Sequence, residues 1–285
     1  MRVAQWYKNF VIFIGIMFSL NLTNFLMLSR VIIAFGLFCI LSSSVYLIND
    51  IHDIDKDRMH PFKRKRPIPS GRMSLNFAKG LATFFIIVSL TSAFMLSNLL
   101  FVVCVVYLVQ NILYTFWLKS IVIVDVAVIS AGFVWRAIAG VVVISVRISP
   151  WLIICSFLLA LFLALNKRKT EIGLLQNVNE HRTTLKAYSK QLLDTLLNIT
   201  TASLLMFYMI YTFESGYIYM IITIPFAFIG IFRYVQLVAE SENGNDDATF
   251  IFRDKLTQVN LLLWALTSAA ALYKIPDLIV KLLIA

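Results

Sequence analysis

Apolar residues fill most of this chain in long blocks, and short polar stretches separate them. A helix needs about 20 apolar residues to cross a bilayer. Blocks near that length lie at residues 10–29, 31–48, 77–96, 98–116, 121–145, 150–166, 191–213, 217–236 and 256–273. The pattern predicts an all-α, polytopic integral membrane bundle of about nine transmembrane helices. The first block is the weakest, because Asn21, Thr23 and Asn24 interrupt it. Short turns fall near Ser97 and near Ser215-Gly216, and long polar loops at 49–76, 167–190 and 237–255. No internal repeat and no Pro- or Gly-rich linker divides the chain. Residues 1–285 therefore read as a single transmembrane domain.

Composition narrows the class. Of the 285 residues 60% are hydrophobic, and mean hydropathy is +0.84. A soluble domain carries about 45–50% apolar residues. The net charge of +10 is spread through loops between apolar blocks, which points to anionic lipid and phosphorylated substrates and away from nucleic acid. Cys39, Cys104 and Cys155 all fall inside apolar blocks, with no metal-binding spacing, and read as small buried residues. Lysine and arginine crowd the N-terminus and the loops at 49–76 and 167–190. That asymmetry predicts a cytoplasmic N-terminus and cytoplasmic loops, in a multi-pass plasma-membrane protein. No small-residue cleavage site follows the first block, so no cleavable signal is expected.

The candidate chemistry gathers in residues 49–71, NDIHDIDKDRMHPFKRKRPIPSG. Asp50, Asp53 and Asp57 are spaced i, i+3, i+7 and share one stripe of a helix, with Asn49 at its edge and Asp55 pointing away. Like charges stacked so closely destabilise a helix by a few tenths of a kcal/mol per pair, roughly. A divalent cation removes the conflict, and Mg²⁺ prefers a few carboxylates together with substrate phosphates. The basic run Lys63-Arg64-Lys65-Arg66 behind the stripe suits phosphate oxygens. A loop that only fixes topology needs the cations but has no use for the acids.

Other candidates are scattered. Ahead of the first block, Trp6 and Tyr7 fit an interfacial belt. Arg2 and Lys8 fit lipid headgroups, and Arg2, Gln5 and Lys8 fit a substrate equally well. Asn111 and Tyr114 are one turn apart, as a helix–helix hydrogen bond or a site would need, and Lys119 follows at the membrane boundary. Asp125 opens the fifth block. Arg136 lies deep within it, where an arginine is costly and faces a partner or a wet cavity; the sequence favours a cavity. Lys167, Arg168, Glu171, Arg182 and Lys186 mark the second long loop, although Lys167 and Glu171 also suit a plain i, i+4 surface pair.

Taken together these motifs resemble a known family. Asn49-Asp50-x-x-Asp53-x-x-x-Asp57 resembles the first aspartate-rich motif of the UbiA prenyltransferase superfamily, membrane enzymes with nine transmembrane helices. RxxQWxKN at residues 2–9, NDxxDxxxDRxHPxKRxRPIxxG at 49–71, NxxYxxxLK at 111–119, GFVxRAIAG at 132–140, and KRxxE followed by HRxxLxxY at 167–188 look like its decaprenyl-phosphate phosphoribosyltransferase branch. The resemblance runs from residue 2 to about 190, and more loosely beyond. Aromatic prenyltransferases of the superfamily carry a second pair, DxxxD, in the later loop. This chain has Lys167-Arg168-Lys169 and a single Glu171 there.

The resemblance implies Mg²⁺-dependent transfer of 5-phosphoribose from phosphoribosyl diphosphate to a polyprenyl phosphate, at the cytoplasmic face. Asp50, Asp53 and Asp57 would hold the metal, with Asn49 as an outer ligand. Lys63, Arg64 and Arg66 would grip donor phosphates. Lys119, Arg136, Lys167 and Arg168 would meet the 5-phosphate or the lipid phosphate, and Lys8, Asn111, Tyr114, Glu171 and Arg182 complete the candidate binding set. Two alternatives remain. Prenyl transfer from a prenyl diphosphate to an aromatic or lipid acceptor uses the same stripe. A transporter would more often place its charges at mid-membrane, in repeated halves.

Overall fold

The computed structural model describes residues 3–59, 63–175, 188–241 and 254–275. All regular elements among them are helical. Seven helices are long and apolar enough to cross a membrane among the described residues: Phe25–His52, Leu75–Leu96, Asn98–Phe116, Val124–Val142, Pro150–Ile172, Lys190–Glu214 and Ile218–Glu240.

The first apolar block differs from expectation. Residues 10–29 do not form one helix. A 3₁₀ segment, Val3–Val11, leads into α1 (Ile12–Phe18), which stops at Ser19. Leu20 turns into the left-handed region at φ 61°, and the Asn21 amide donates to the Ser19 carbonyl at 2.7 Å. Asn24 then caps α2 (Phe25–His52) by accepting from the Met27 N–H at 3.2 Å. Residues 25–29 thus belong to the second helix, because asparagine side chains compete for backbone groups and favour caps over helix interiors. The 3₁₀ geometry compensates in length. A rise of about 2.0 Å over the 3₁₀ residues and about 1.5 Å over α1 gives roughly 28 Å, close to the bilayer core. The last block forms a helix of 18 residues, Lys255–Leu272. Lys255, Gln258 and Asn260 in its first turns keep it out of the seven.

The described helices fall into two compact units, the first ending at Ile153 and the second beginning at Ile154. The first is built on α2. Packed with it are α1, α4 (Leu75–Leu96), α5 (Asn98–Phe116) and α6 (Val124–Val142). Phe38, Leu41, Leu100, Cys104 and Tyr107 fill the middle. Lipid tails are as apolar as leucine, so close packing rather than water exclusion joins such helices. Gly140 shows how close: a Cβ there would lie 1.9 Å from the Ile12 carbonyl oxygen.

The second unit holds most of α7 (Pro150–Leu175), then α8 (Lys190–Glu214), a 3₁₀ turn at Ile218–Thr223, α9 (Ile224–Ser241) and α10 (Lys255–Leu272). Polar ties join its helices. The Trp264 indole donates to the Tyr208 hydroxyl at 2.8 Å, which pairs with Thr223 at 2.6 Å. Asn260 donates to the Phe226 carbonyl at 2.9 Å. Asp254 caps α10 and takes two hydrogen bonds from Arg233, at 2.8 and 3.2 Å.

Candidate active site

α2 ends at His52 with Asp53 as its cap, and a short helix, α3 (Ile54–Met59), follows at once. The backbone stays nearly helical through the join. The Asp53 N–H reaches the Asn49 carbonyl at 2.9 Å, and the Asp57 N–H reaches the Asp53 carbonyl at 2.8 Å. The stripe therefore survives: Asp50, Asp53 and Asp57 are 6, 8 and 5% exposed, while the Asp55 side chain is 87% exposed. Carboxylates at a helix C-terminus face the negative end of its dipole, so they need cations.

Two cations come from elsewhere in the first unit. Arg66 Nη1 lies 2.6 Å from Asp57 Oδ2 and 3.3 Å from Asp50 Oδ1. Lys119 Nζ, from the turn after α5, lies 2.6 Å from Asp53 Oδ1. The loop carrying Arg66 is pinned locally. Ile68 is buried beside Leu47, Ala78 and Ala82, and Arg72 donates back to the Lys65 carbonyl. Gly71 turns the chain at φ 76°, where a side chain would be strained. Arg64 and Lys65 are exposed, and Lys63 is half-buried.

Arg136 departs from the cavity-facing expectation. Its guanidinium is enclosed, and all three nitrogens donate to neutral oxygens: Nε to Asn9 Oδ1, Nη1 to the Gly132 carbonyl and Nη2 to the Tyr107 hydroxyl, each at 2.7 Å. The rings of Tyr107 and Phe133 lie 4.8 and 5.2 Å from it. Asn9 also donates to Cys39 Sγ and Ser42 Oγ at 3.3 and 3.4 Å, and the Trp6 indole to Ser43 Oγ at 3.2 Å. The 3₁₀ segment that carries half-buried Lys8 is thereby sewn to α2 and α6. Asn111 donates to the Tyr107 carbonyl of its own helix at 2.7 Å, and Tyr114 is half-buried. Sequence reasoning passed over Asn9, Tyr107 and Gln110 as individual site residues. The signal for Gln110 was an amide inside an apolar block; it bridges the Val128 carbonyl and the Trp135 indole, both at 2.7 Å.

In the second unit, Arg168 is buried and meets Glu171 Oε2 at 2.5 Å. Lys167 is 62% exposed and stands 4.0 Å from Glu171 Oε1. Lys169 pairs with Asp194 of α8 at 2.8 Å. Arg182 lies outside the described residues, as does Arg2.

Among the described residues, no three His, Cys, Asp or Glu side chains converge closely enough to hold a metal ion by themselves. The stripe nonetheless suits an ion that brings other ligands. One guanidinium nitrogen already sits between two carboxylates, Asp50 and Asp57. Mg²⁺ takes one or two carboxylates, waters and phosphates rather than an all-protein cage.

The profile of the UbiA prenyltransferase family matches residues 9–256. A decaprenyl-phosphate phosphoribosyltransferase of Corynebacterium glutamicum is 31% identical over 288 residues, covering 97% of this chain and 86% of its own. One of Mycobacterium tuberculosis is 32% identical over 279 residues, covering 95% and 92%. A UbiA homolog from Archaeoglobus fulgidus bound to GPP and Mg²⁺ shares the fold, with a TM-score of 0.74 at 16% identity over 95% of this chain and 97% of that one. The same protein bound to DMAPP and Mg²⁺ gives 0.72 at 15%, with the same coverage. Matched across most of its length by the family profile and by relatives of similar size, the chain belongs to the UbiA prenyltransferase family.

Proposed function

We propose that this protein moves 5-phosphoribose from phosphoribosyl diphosphate to a polyprenyl phosphate, at the cytoplasmic face of the plasma membrane. The observation that carries the reading is identity of 31 to 32%, over nearly the whole chain, to two transferases of that name. The single domain we assign to residues 1–285 follows the family match, which runs through both units.

In this reading the acceptor phosphate oxygen bonds to C1 of the ribose while the bond from C1 to the diphosphate oxygen breaks. The diphosphate leaves with the electron pair. The sugar carbon gains oxocarbenium character on the way. The acceptor is already an anion, so no strong general base is required. Asp50, Asp53 and Asp57, with Asn49 beside them, would hold Mg²⁺, which when bound would supply Lewis-acid stabilisation of the leaving oxygens. Arg66 and Lys119 balance the carboxylates and turn their remaining N–H donors to phosphate. Lys63 and Arg64 add grip on the donor. Lys167 and Arg168 offset the 5-phosphate or the lipid phosphate, charges that prenyl transfer lacks. Arg136, enclosed by Asn9 and Tyr107, acts by holding the N-terminal segment and Lys8 in place.

The test is one purified preparation offered phosphoribosyl diphosphate and a prenyl diphosphate in parallel. Labelled ribose on the polyprenyl phosphate is expected. Prenylation of an aromatic acceptor with no ribose transfer would overturn the reading. Orientation is tested by cysteine labelling at Ser70 and Ser189, both exposed, in a cysteine-free background. Label should enter only after permeabilisation.

A further inference from the structure

The face of α2 opposite the acids borders a groove lined by none of the residues assigned above to the reaction. It has a volume of about 440 Å³, within the ~300–1,000 Å³ of ligand sites. Ile48, Ala82 and Ile86 line it with apolar surface, and Phe116 forms one wall. Its polar lining comes from His52, Lys79 and Thr83, all exposed. The His52 ring meets Phe116 edge-on, with centroids 4.8 Å apart. Lys79 and Thr83 stand one turn apart on α4. Among the described residues neither has an ion pair or side-chain hydrogen bond.

Helix geometry separates this groove from the acids. At about 100° per residue, Ile48, Ile51 and His52 cluster on one side of α2, and Asp50 and Asp53 lie about half a turn away. A phosphate beside Lys79 therefore has the body of α2 between it and the stripe.

We propose that the groove binds an anionic glycerophospholipid of the surrounding leaflet. An acyl chain fills the apolar floor, and the phosphate takes hydrogen bonds from the Lys79 ammonium and the Thr83 hydroxyl. Each half of the site argues for this occupant. An apolar groove facing lipid loses dispersion contacts unless a chain fills it. A lysine at a membrane helix end extends its ammonium to the headgroup level, where anionic lipid attracts it. The groove backs the last turn of α2, so an occupant braces the helix end that carries Asp50 and Asp53. The proposal rests on the membrane setting alone, and it stands whether or not the ribosyl reaction does.

The experiment uses the full chain, delipidated in detergent. It reads lipid adducts by native mass spectrometry and melting temperature after adding phosphatidylglycerol or phosphatidylcholine. Phosphatidylglycerol should leave one retained adduct and raise the melting point by several degrees more than phosphatidylcholine does. Lys79→Glu should abolish both differences. Thr83→Trp, which fills the groove without touching the charge, should block the adduct while the protein still melts cooperatively. Equal effects of the two lipids would overturn the proposal. So would an adduct that survives both variants, or one displaced stoichiometrically by polyprenyl phosphate, which would make the groove an acceptor site.

Discussion

Asp50, Asp53 and Asp57 meet cations brought from other parts of the chain, whereas Arg168 meets an acid on its own helix. Lys119 is 66 positions from Asp53, and Arg66 is 16 from Asp50. Glu171 is only three from Arg168. The difference separates two kinds of charge site. The stripe is assembled by tertiary structure, and its cations sit on short connecting segments outside its own helix. The Arg168 pair forms as soon as its helix does, and beside it Lys167 keeps most of its side chain in the open. In the first unit folding supplies the counter-charge. In the second the counter-charge lies on the same helix, and Lys167 stays largely exposed 4.0 Å from Glu171.

The largest effect should follow Asp53→Asn, which removes one charge from the stripe at nearly constant volume. Turnover should fall almost to zero, with normal membrane insertion and a weaker Mg²⁺ dependence of donor binding. Half-maximal activity in this variant would mean that the stripe is not the metal site.

Arg66→Met comes next. Leaving a buried carboxylate without its partner costs about 3–5 kcal/mol; Arg66 is 29% exposed, so the lower end applies. The melting temperature should drop in metal-free buffer and recover in part when Mg²⁺ and diphosphate are added. A drop that metal leaves unchanged would show that the guanidinium is a structural tie only.

Lys167→Ala and Arg168→Ala split the second region. Losing a charge-assisted hydrogen bond of about 1.5–3 kcal/mol should lower turnover about ten- to a hundredfold. Lys167→Ala should do so at unchanged stability. Arg168→Ala should lose stability as well, because it removes the 2.5 Å ion pair between a buried guanidinium and half-buried Glu171. Equal kinetics per inserted molecule in wild type and both variants would reduce the pair to topology anchors.

The smallest effect belongs to Asp254. Its hydrogen bonds from Arg233, then those from Thr257, hold its carboxyl well below the usual carboxylate range. A carboxyl so lowered adds stability above its ordinary pKa of about 4, and that stability is lost as pH falls through the folded value. Asp254→Asn should lower the melting point slightly at neutral pH, close the gap to wild type in strong acid, and leave turnover alone.

The stripe was legible because a period of three to four residues puts Asp50, Asp53 and Asp57 on one face whatever surrounds them. Lys119 was legible as a candidate, but its partner was not, since no local rule links residue 119 to residue 53. Arg136 misled for the same reason: the sequence shows its cost, not the asparagine that satisfies it. The boundary of the first helix was readable and missed. Asn24 stands directly before an apolar run, which is the sign of a helix start rather than of a weakened span.

The bond between Asn9 and Arg136 has a consequence for how the chain is made. The two residues are 127 positions apart, so Asn9 is synthesised long before the side chain that donates to it. A ribosome that has completed α2 has supplied Ser42 and Ser43 but not the guanidinium. The segment that carries Asn9 is made before α2 and yet should be among the last of its unit to settle, since its partner arrives only with α6. Nascent chains arrested before residue 136 should cross-link from Phe10 to lipid or translocon; chains arrested well beyond it should cross-link to their own helices.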